Sequence, residues 1–157
     1  MLICEEMNSE AKSFAISYLQ SHCRAVLASK AGKTNKVCKD AADMFPDGIP
    51  ALPWDFLPDT GVQVKNEYGR ILCVAFLYLE KSSKMSVAGN IVTNPVNTKR
   101  ESFEAIEQAL CFLPNYAKGK GAAWLQTFFG NKGICDIAES LGYLDGDSVV
   151  RNQLLAL

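Results

Sequence analysis

A chain of 157 residues, 48% apolar and 21% charged, has the length of one domain and enough apolar material for a core without metal or disulfide staples. Its net charge of −1 excludes a surface broadly attractive to nucleic acid, and its composition excludes a disordered chain. Six cysteines (Cys4, Cys23, Cys38, Cys73, Cys111 and Cys135) lie scattered with no CxxC pair, which argues against a structural zinc site. The opening MLICEEMN has neither a basic flank nor a long apolar run, so no signal peptide or membrane span is expected and the predicted location is cytoplasmic.

Leu2 to Glu5 reads as a short first strand, and Asn8 or Ser9 can cap the helix that follows. Ala11, Phe14, Ala15, Tyr18, Leu19, His22 and Val26 fall on one stripe of it, which predicts an amphipathic helix to about Ala28. His22, the only histidine, sits on that stripe and is read as a packed residue rather than a base. From Gly32 to about Asp59 the signals are loop-like, and FPDGIPALPWDFLP alone holds four prolines. Two readings stand for this segment. Trp54, Phe56 and Leu57 anchor it to the core, or Trp54, Asp55 and Asp59, with Asp43 and Asp47, wall the side of a site where an amine enters.

Val62 to Lys65 and Arg70 to Leu79 form a hairpin around NEYG, and Met85 to Thr93 adds a third antiparallel strand that Asn94-Pro95 stops. Thr98 and Glu101 have capping-box spacing. Phe103, Ile106, Leu110 and Leu113 supply the stripe of a second helix, which ends at Pro114-Asn115 or runs through a kink to Gly119. Ala123 to Phe129 is apolar and uncharged, as a buried strand would be, and the helical crossover places it parallel to strand 85–93. Asn131 caps a last helix whose stripe is Ile134, Ile137, Ala138 and Leu141, and Gly142 ends it. Asp147 to Leu157 holds enough Val and Leu for a closing strand.

A strand feeding an Asn-capped helix that ends in Leu-Gly-aromatic (Asn131, Ile134, Ile137, Leu141, Gly142, Tyr143) resembles the last βα unit of the GNAT superfamily of acyl-CoA-dependent N-acyltransferases. The order of the elements before it is similar to that family across nearly the whole chain, and nearest to small phage and bacterial GNAT-like proteins. The resemblance implies one α/β (α+β) domain over 1–157: a twisted, mainly antiparallel sheet with helices on both faces and a splayed parallel strand pair. It implies acetyl-CoA as cosubstrate, a primary amine of a small molecule or protein as acceptor, direct transfer between them and no metal.

By the same resemblance the pantetheine arm lies along Ile91, Val92 and Thr93. The pyrophosphate faces the turn Asn97, Thr98, Lys99, Arg100, Glu101 and Ser102, and Asn131 lies near the pantetheine or the acyl group. The family's glycine-rich loop is absent from NPVNTKRES, and Ala138 stands where many relatives place a tyrosine that protonates the leaving thiolate. Strand 85–93 offers Ser86, Ala88, Asn90 and Val92 on one face and no carboxylate on either, so Glu80, Asp55 or Asp59 from the long loop, and Tyr78 are the candidate proton-handling groups. These departures support an alternative: a GNAT-fold protein that has lost catalysis and binds a protein partner. The tail 147–157 is a dimer interface or a plain closing edge.

Overall fold

The computed structural model describes residues 1–31, 57–80, 82, 84–129 and 131–144, with side chains described outside 22–31. In chain order these form β1 (Leu2–Glu6), α1 (Ser9–Ala31), β2 (Gly61–Asn66), β3 (Ile71–Leu79), β4 (Met85–Thr93), α2 (Lys99–Gly119), β5 (Trp124–Thr127) and α3 (Lys132–Ser140). The strands make one sheet in the order β1-β2-β3-β4-β5. The first four pair antiparallel, and β4 pairs with β5 in parallel. Trp54, Asp55 and the tail 147–157 lie outside the described residues.

β3 is the middle strand, and its first seven residues are buried because helices cover both of its faces. On one face Val74 and Phe76 pack with Val92 of β4, Met7, Leu57, and Ala11 and Ala15 of α1. On the other, Cys73, Ala75 and Leu77 pack with Ala105, Ile106, Ala109, Leu110 and Leu113 of α2, and Ala138 of α3 joins them. The small residues Ala11, Ala15, Ala105 and Ala109 let the helices sit close to the sheet. Asn8 is the cap of α1, its Oδ1 accepting from the Ala11 N–H at 2.9 Å. The helix runs to Ala31, one turn beyond the sequence expectation.

Pro114 does not end α2, which continues to Gly119. A proline in a helix interior has no N–H for the carbonyl four residues earlier, here that of Leu110. Tyr143 Oη donates to that orphaned Leu110 carbonyl at 2.8 Å. The Leu-Gly-aromatic end of α3 delivers this ring. Gly142 takes φ +88, and the Gly142 and Tyr143 N–H groups bond back to the Glu139 and Ala138 carbonyls at 2.9 and 3.0 Å, a Schellman motif.

Tyr143→Phe is therefore expected to cost about 1–2 kcal/mol in denaturant unfolding, because a carbonyl in the core loses its donor. Burial pushes the Tyr143 phenol up to about 12 from 10.0. Its folded value is raised, so its contribution is full below pH 10 and fades as pH climbs through 12.

β5 departs from expectation. It is four residues long rather than seven, and it is not buried: Trp124 is 75% exposed and the neighbouring Phe128 47%. Apolar composition marks a strand here but does not say how well it is covered, which depends on what lies outside it.

Candidate active site

The parallel pair is a fork. β4 and β5 are in register only from Met85↔Trp124 to Ala88↔Thr127, whereas β4 continues along β3 to Thr93. From Gly89 onward, β4 thus has no second strand partner among the described residues. Such an edge presents backbone N–H and C=O groups that an extended ligand can pair with.

The closed end of the fork is tied by Ser86, fully buried, whose Oγ donates to the Trp124 carbonyl at 2.8 Å. Ser86→Ala should cost about 1 kcal/mol in urea unfolding, the net worth of one hydrogen bond. A cost near zero would mean that the ladder alone holds the two strands.

At the apex of the fork, β3 advances two residues from Val74 to Phe76 while β4 goes from Val92 back to Gly89, three residues. This is a β-bulge, and Asn90 within it has φ +50, a conformation asparagine tolerates better than most side chains. The bulge overturns the expected alternation, in which Ser86, Ala88, Asn90 and Val92 share a face. Ala88 belongs to the α2-side core and Val92, 2% exposed, to the α1-side core. Ile91 packs half-buried on the α2 side. Ile91 and Val92 thus commit their side chains to packing and leave only backbone to the open edge.

β4 leads into α2 through a pinned turn. The β2–β3 register skips at Leu72, Val64 facing Cys73 while Lys65 faces Ile71. The Leu72 carbonyl, which faces the β4 side, accepts from the Asn94 N–H and from Asn97 Nδ2, each at 2.9 Å. Asn97 Oδ1 is buried with no hydrogen-bond partner; it seeks a donor and would repel a phosphate oxygen. Asn97 therefore ties the turn to β3.

The predicted capping box is present. The Glu101 N–H donates to Thr98 Oγ1 at 3.2 Å and the Thr98 N–H to Glu101 Oε2 at 2.7 Å, while Arg70 Nη2 meets Glu101 Oε1 at 2.5 Å. The Thr98 N–H first, and the Arg70 guanidinium beside it, hold the Glu101 carboxyl below its usual range. Glu101 is thus spent within the turn, and Arg70 offsets its charge. The first intrahelical bond runs from the Ser102 N–H to the Thr98 carbonyl. The Lys99 and Arg100 N–H groups precede it and point out of the helix end.

Above them, the Lys99 ammonium lies 5.8 Å from the centre of the Phe103 ring. Arg100 Nε is 2.6 Å from Glu104 on an exposed face. Gly133 in the first turn of α3 lies so near Phe103 that an added Cβ would sit 3.0 Å from the ring. α2 and α3 therefore begin side by side, where the fork opens. Asn131 caps α3, its Oδ1 accepting from the Gly133 N–H at 2.9 Å. Both helix N-termini bring partial positive charge to the same place.

The remaining candidates are dispersed. Tyr78 reaches the apex, where Asn90 Nδ2 donates to its phenol oxygen at 2.6 Å. Burial pushes this phenol up, a rise that the Asn90 bond partly offsets. Glu80 lies at the other end of β4, its N–H on the Met85 carbonyl at 3.0 Å. Its exposed carboxylate accepts from the Ser82 N–H and Oγ at 2.9 and 2.7 Å, and the backbone bond is the main cause of its lowered pKa. Asp59 is 2.6 Å from Lys12 Nζ, which also bonds the Leu57 carbonyl, so it fastens the end of the long loop to α1. Ala138 is buried at 5% exposure in the α2-side core, and Cys135 is half-buried beside the Phe129 carbonyl.

Sequence reasoning missed Asn90, although Gly-Asn inside a strand pattern is a bulge signal. A cleft of about 350 Å³ lined by Pro114, Ala117, Lys118 and Trp124 lies at the closed end of the fork, away from these groups. No group of three or more His, Cys, Asp or Glu is placed to hold a metal among the described residues, and no described helix is long and apolar enough to cross a membrane.

The residues present fit acyl-CoA. An open strand edge suits an amide-bearing arm, and two helix N-termini with Lys99 and Arg100 suit phosphate. No family model matches the sequence, and no curated protein shows significant similarity to it.

Solved structures do. YycN, a predicted acetyltransferase of Bacillus subtilis, superposes with a TM-score of 0.60 at 18% identity, covering 99% of this chain and 100% of that one. AAC(6')-Iy, in complex with the bisubstrate analogue CoA-S-monomethyl-acetylneamine, gives 0.54 at 13% identity, covering 99% of each chain. A predicted acetyltransferase from Clostridium acetobutylicum, solved with acetyl-CoA, gives 0.52 at 14% identity, covering 98% of this chain and 96% of that one. A mixed five-stranded sheet with a forked parallel pair, matched along nearly the whole chain by these structures, is the GNAT fold.

Proposed function

We propose that the chain is a GNAT acyltransferase that passes an acyl group, acetyl in the first instance, from acyl-CoA directly to a primary amine. The observation that carries this reading is the open edge of β4 from Gly89 to Thr93, ending at the paired starts of α2 and α3. The backbone of Ile91, Val92 and Thr93 takes the pantetheine arm. The first turn of α2, Thr98 to Ser102 with the Lys99 and Arg100 charges, takes the pyrophosphate, and Asn97 fixes that turn. Asn131 sets the start of α3 beside the same arm. Two of the neighbouring structures carry acetyl-CoA or a CoA bisubstrate analogue, which supports this donor.

Trp54 and Asp55 belong to the acceptor side in this reading, and Asp59 contributes through its bond to Lys12. The amine loses its proton to water or to a group of that loop, because Glu80 lies at the far end of β4. Tyr78 is the polar group at the apex.

Incubation with acetyl-CoA and a panel of primary amines tests the reading. Free thiol should appear in step with an acetylated amine seen by mass spectrometry. One observation favours a second reading: a buried Ala138 replaces the phenol that many relatives use on the thiolate. A protein that binds acetyl-CoA and releases no thiol with any amine would be the non-catalytic, partner-binding form of this fold.

A further inference from the structure

Asn90 joins three features at the apex of the fork. It follows the last β4–β5 pair, Ala88↔Thr127, by two residues. It carries the left-handed backbone of the bulge. Its amide donates to Tyr78 Oη at 2.6 Å. Tyr78 reaches it from β3 over Gly89, where an added Cβ would lie in ordinary contact with Tyr78 Cε2 at 3.8 Å. The ring therefore leans across β4 toward the open edge.

The geometry points to Asn90 as a positioning residue that holds the Tyr78 phenol at the apex as a hydrogen-bond donor to the reacting acyl thioester; this rests on the acyltransferase reading above. The direction of the bond matters. An amide N–H has no acceptor capacity, so the phenol can only accept from it, and its own O–H is left to point elsewhere. A phenol that accepts one hydrogen bond is a stronger donor in the next. Burial raises the Tyr78 pKa, so the O–H is present at neutral pH.

In the transfer, the amine nitrogen bonds to the thioester carbon, the C–S bond breaks with its electron pair going to sulfur, and the proton given up by the amine ends on the thiolate. Tyr78 keeps its own proton throughout. It supplies a hydrogen bond to charge developing on the acyl group, the kind of contact that lowers a barrier when it is fixed beforehand.

Asn90→Asp keeps the size and the tolerance for a positive φ but reverses the bond, since a carboxylate accepts from the phenol and uses up its proton. Asn90→Gly keeps the backbone and removes the amide. Both are compared with wild type, Tyr78→Phe and the Asn90→Asp/Tyr78→Phe pair in two measurements: the melting shift with acetyl-CoA, and thiol release from acetyl-CoA with ethanolamine, spermidine and a lysine peptide.

The expected result is an unchanged acetyl-CoA shift and a KM for acetyl-CoA within about twofold. It includes a kcat down about tenfold or more in each single variant, and a double variant no worse than Tyr78→Phe. Wild-type kcat in Asn90→Asp or Asn90→Gly, or losses that multiply in the pair, would overturn the role. Stabilisation of the wild type by acetyl-CoA with no thiol released to any amine also overturns it, while leaving CoA binding in place. Absence of stabilisation overturns the acyltransferase reading, and this role with it.

Discussion

Phe76→Ala is expected to lower unfolding free energy by about 3–5 kcal/mol, a large part of the roughly 5–15 kcal/mol that a domain has. The ring is fully buried at the middle of β3, with α1 over it and Val74 and Val92 beside it. Alanine leaves a cavity between a sheet and a helix that are each held by other contacts and cannot close over it. Phe112→Ala is the control. This ring lies on the outer face of α2, 36% exposed and stacked on Tyr116, and its loss should cost about 1 kcal/mol or less. Urea unfolding of both variants measures the difference. Equal costs would mean that the α1-side core is not packed as described.

The second large effect concerns the donor. Reversing both charges at the start of α2, Lys99→Glu with Arg100→Glu, should weaken acetyl-CoA binding by about tenfold or more, and the difference should shrink at high salt. Neither side chain is needed for the fold. Lys99 rests over Phe103, and Arg100 pairs with Glu104 on an exposed face. The capping box of Thr98 and Glu101, braced by Arg70, stays in place in the variant.

S-acetylpantetheine, which lacks the pyrophosphate, serves as the second ligand, and its affinity should not change. Isothermal titration with both ligands reads the two numbers. Equal affinity of wild type and variant for acetyl-CoA would place the phosphates away from the first turn of α2.

Much of this frame was legible in the sequence because it is written in local chemistry. The Thr98–Glu101 spacing, Asn131 as a cap and Gly142 as a left-handed stop each act within one helical turn, and all three stand where expected. The strand order and the parallel pair followed from turn signals and a helical crossover. What local pattern does not carry is how strands meet. The bulge at Asn90 depends on the β3–β4 register, and it reassigns the faces of Val92 and Ala88.

Pro114 illustrates the same limit. Its missing N–H marks a break in the sequence, but Tyr143, far along the chain, satisfies the Leu110 carbonyl and the helix runs on. The candidate site divided in the same way. The α2 turn and the Asn131 cap lie side by side because each follows one of two adjacent strands. Glu80 and Asp59 do not join them, because their positions hang on a hairpin turn and on an ion pair with Lys12.

The most direct test of the central claim is a melting curve with and without millimolar acetyl-CoA, with CoA and with ATP as a control polyanion. A ligand that binds only the native state at a hundred times its Kd adds about 2.7 kcal/mol, roughly 5–10 °C for a domain of this length. The account predicts an upward shift of that order with acetyl-CoA and CoA and none with ATP. No shift, or one of equal size with ATP, would contradict a CoA site at the fork.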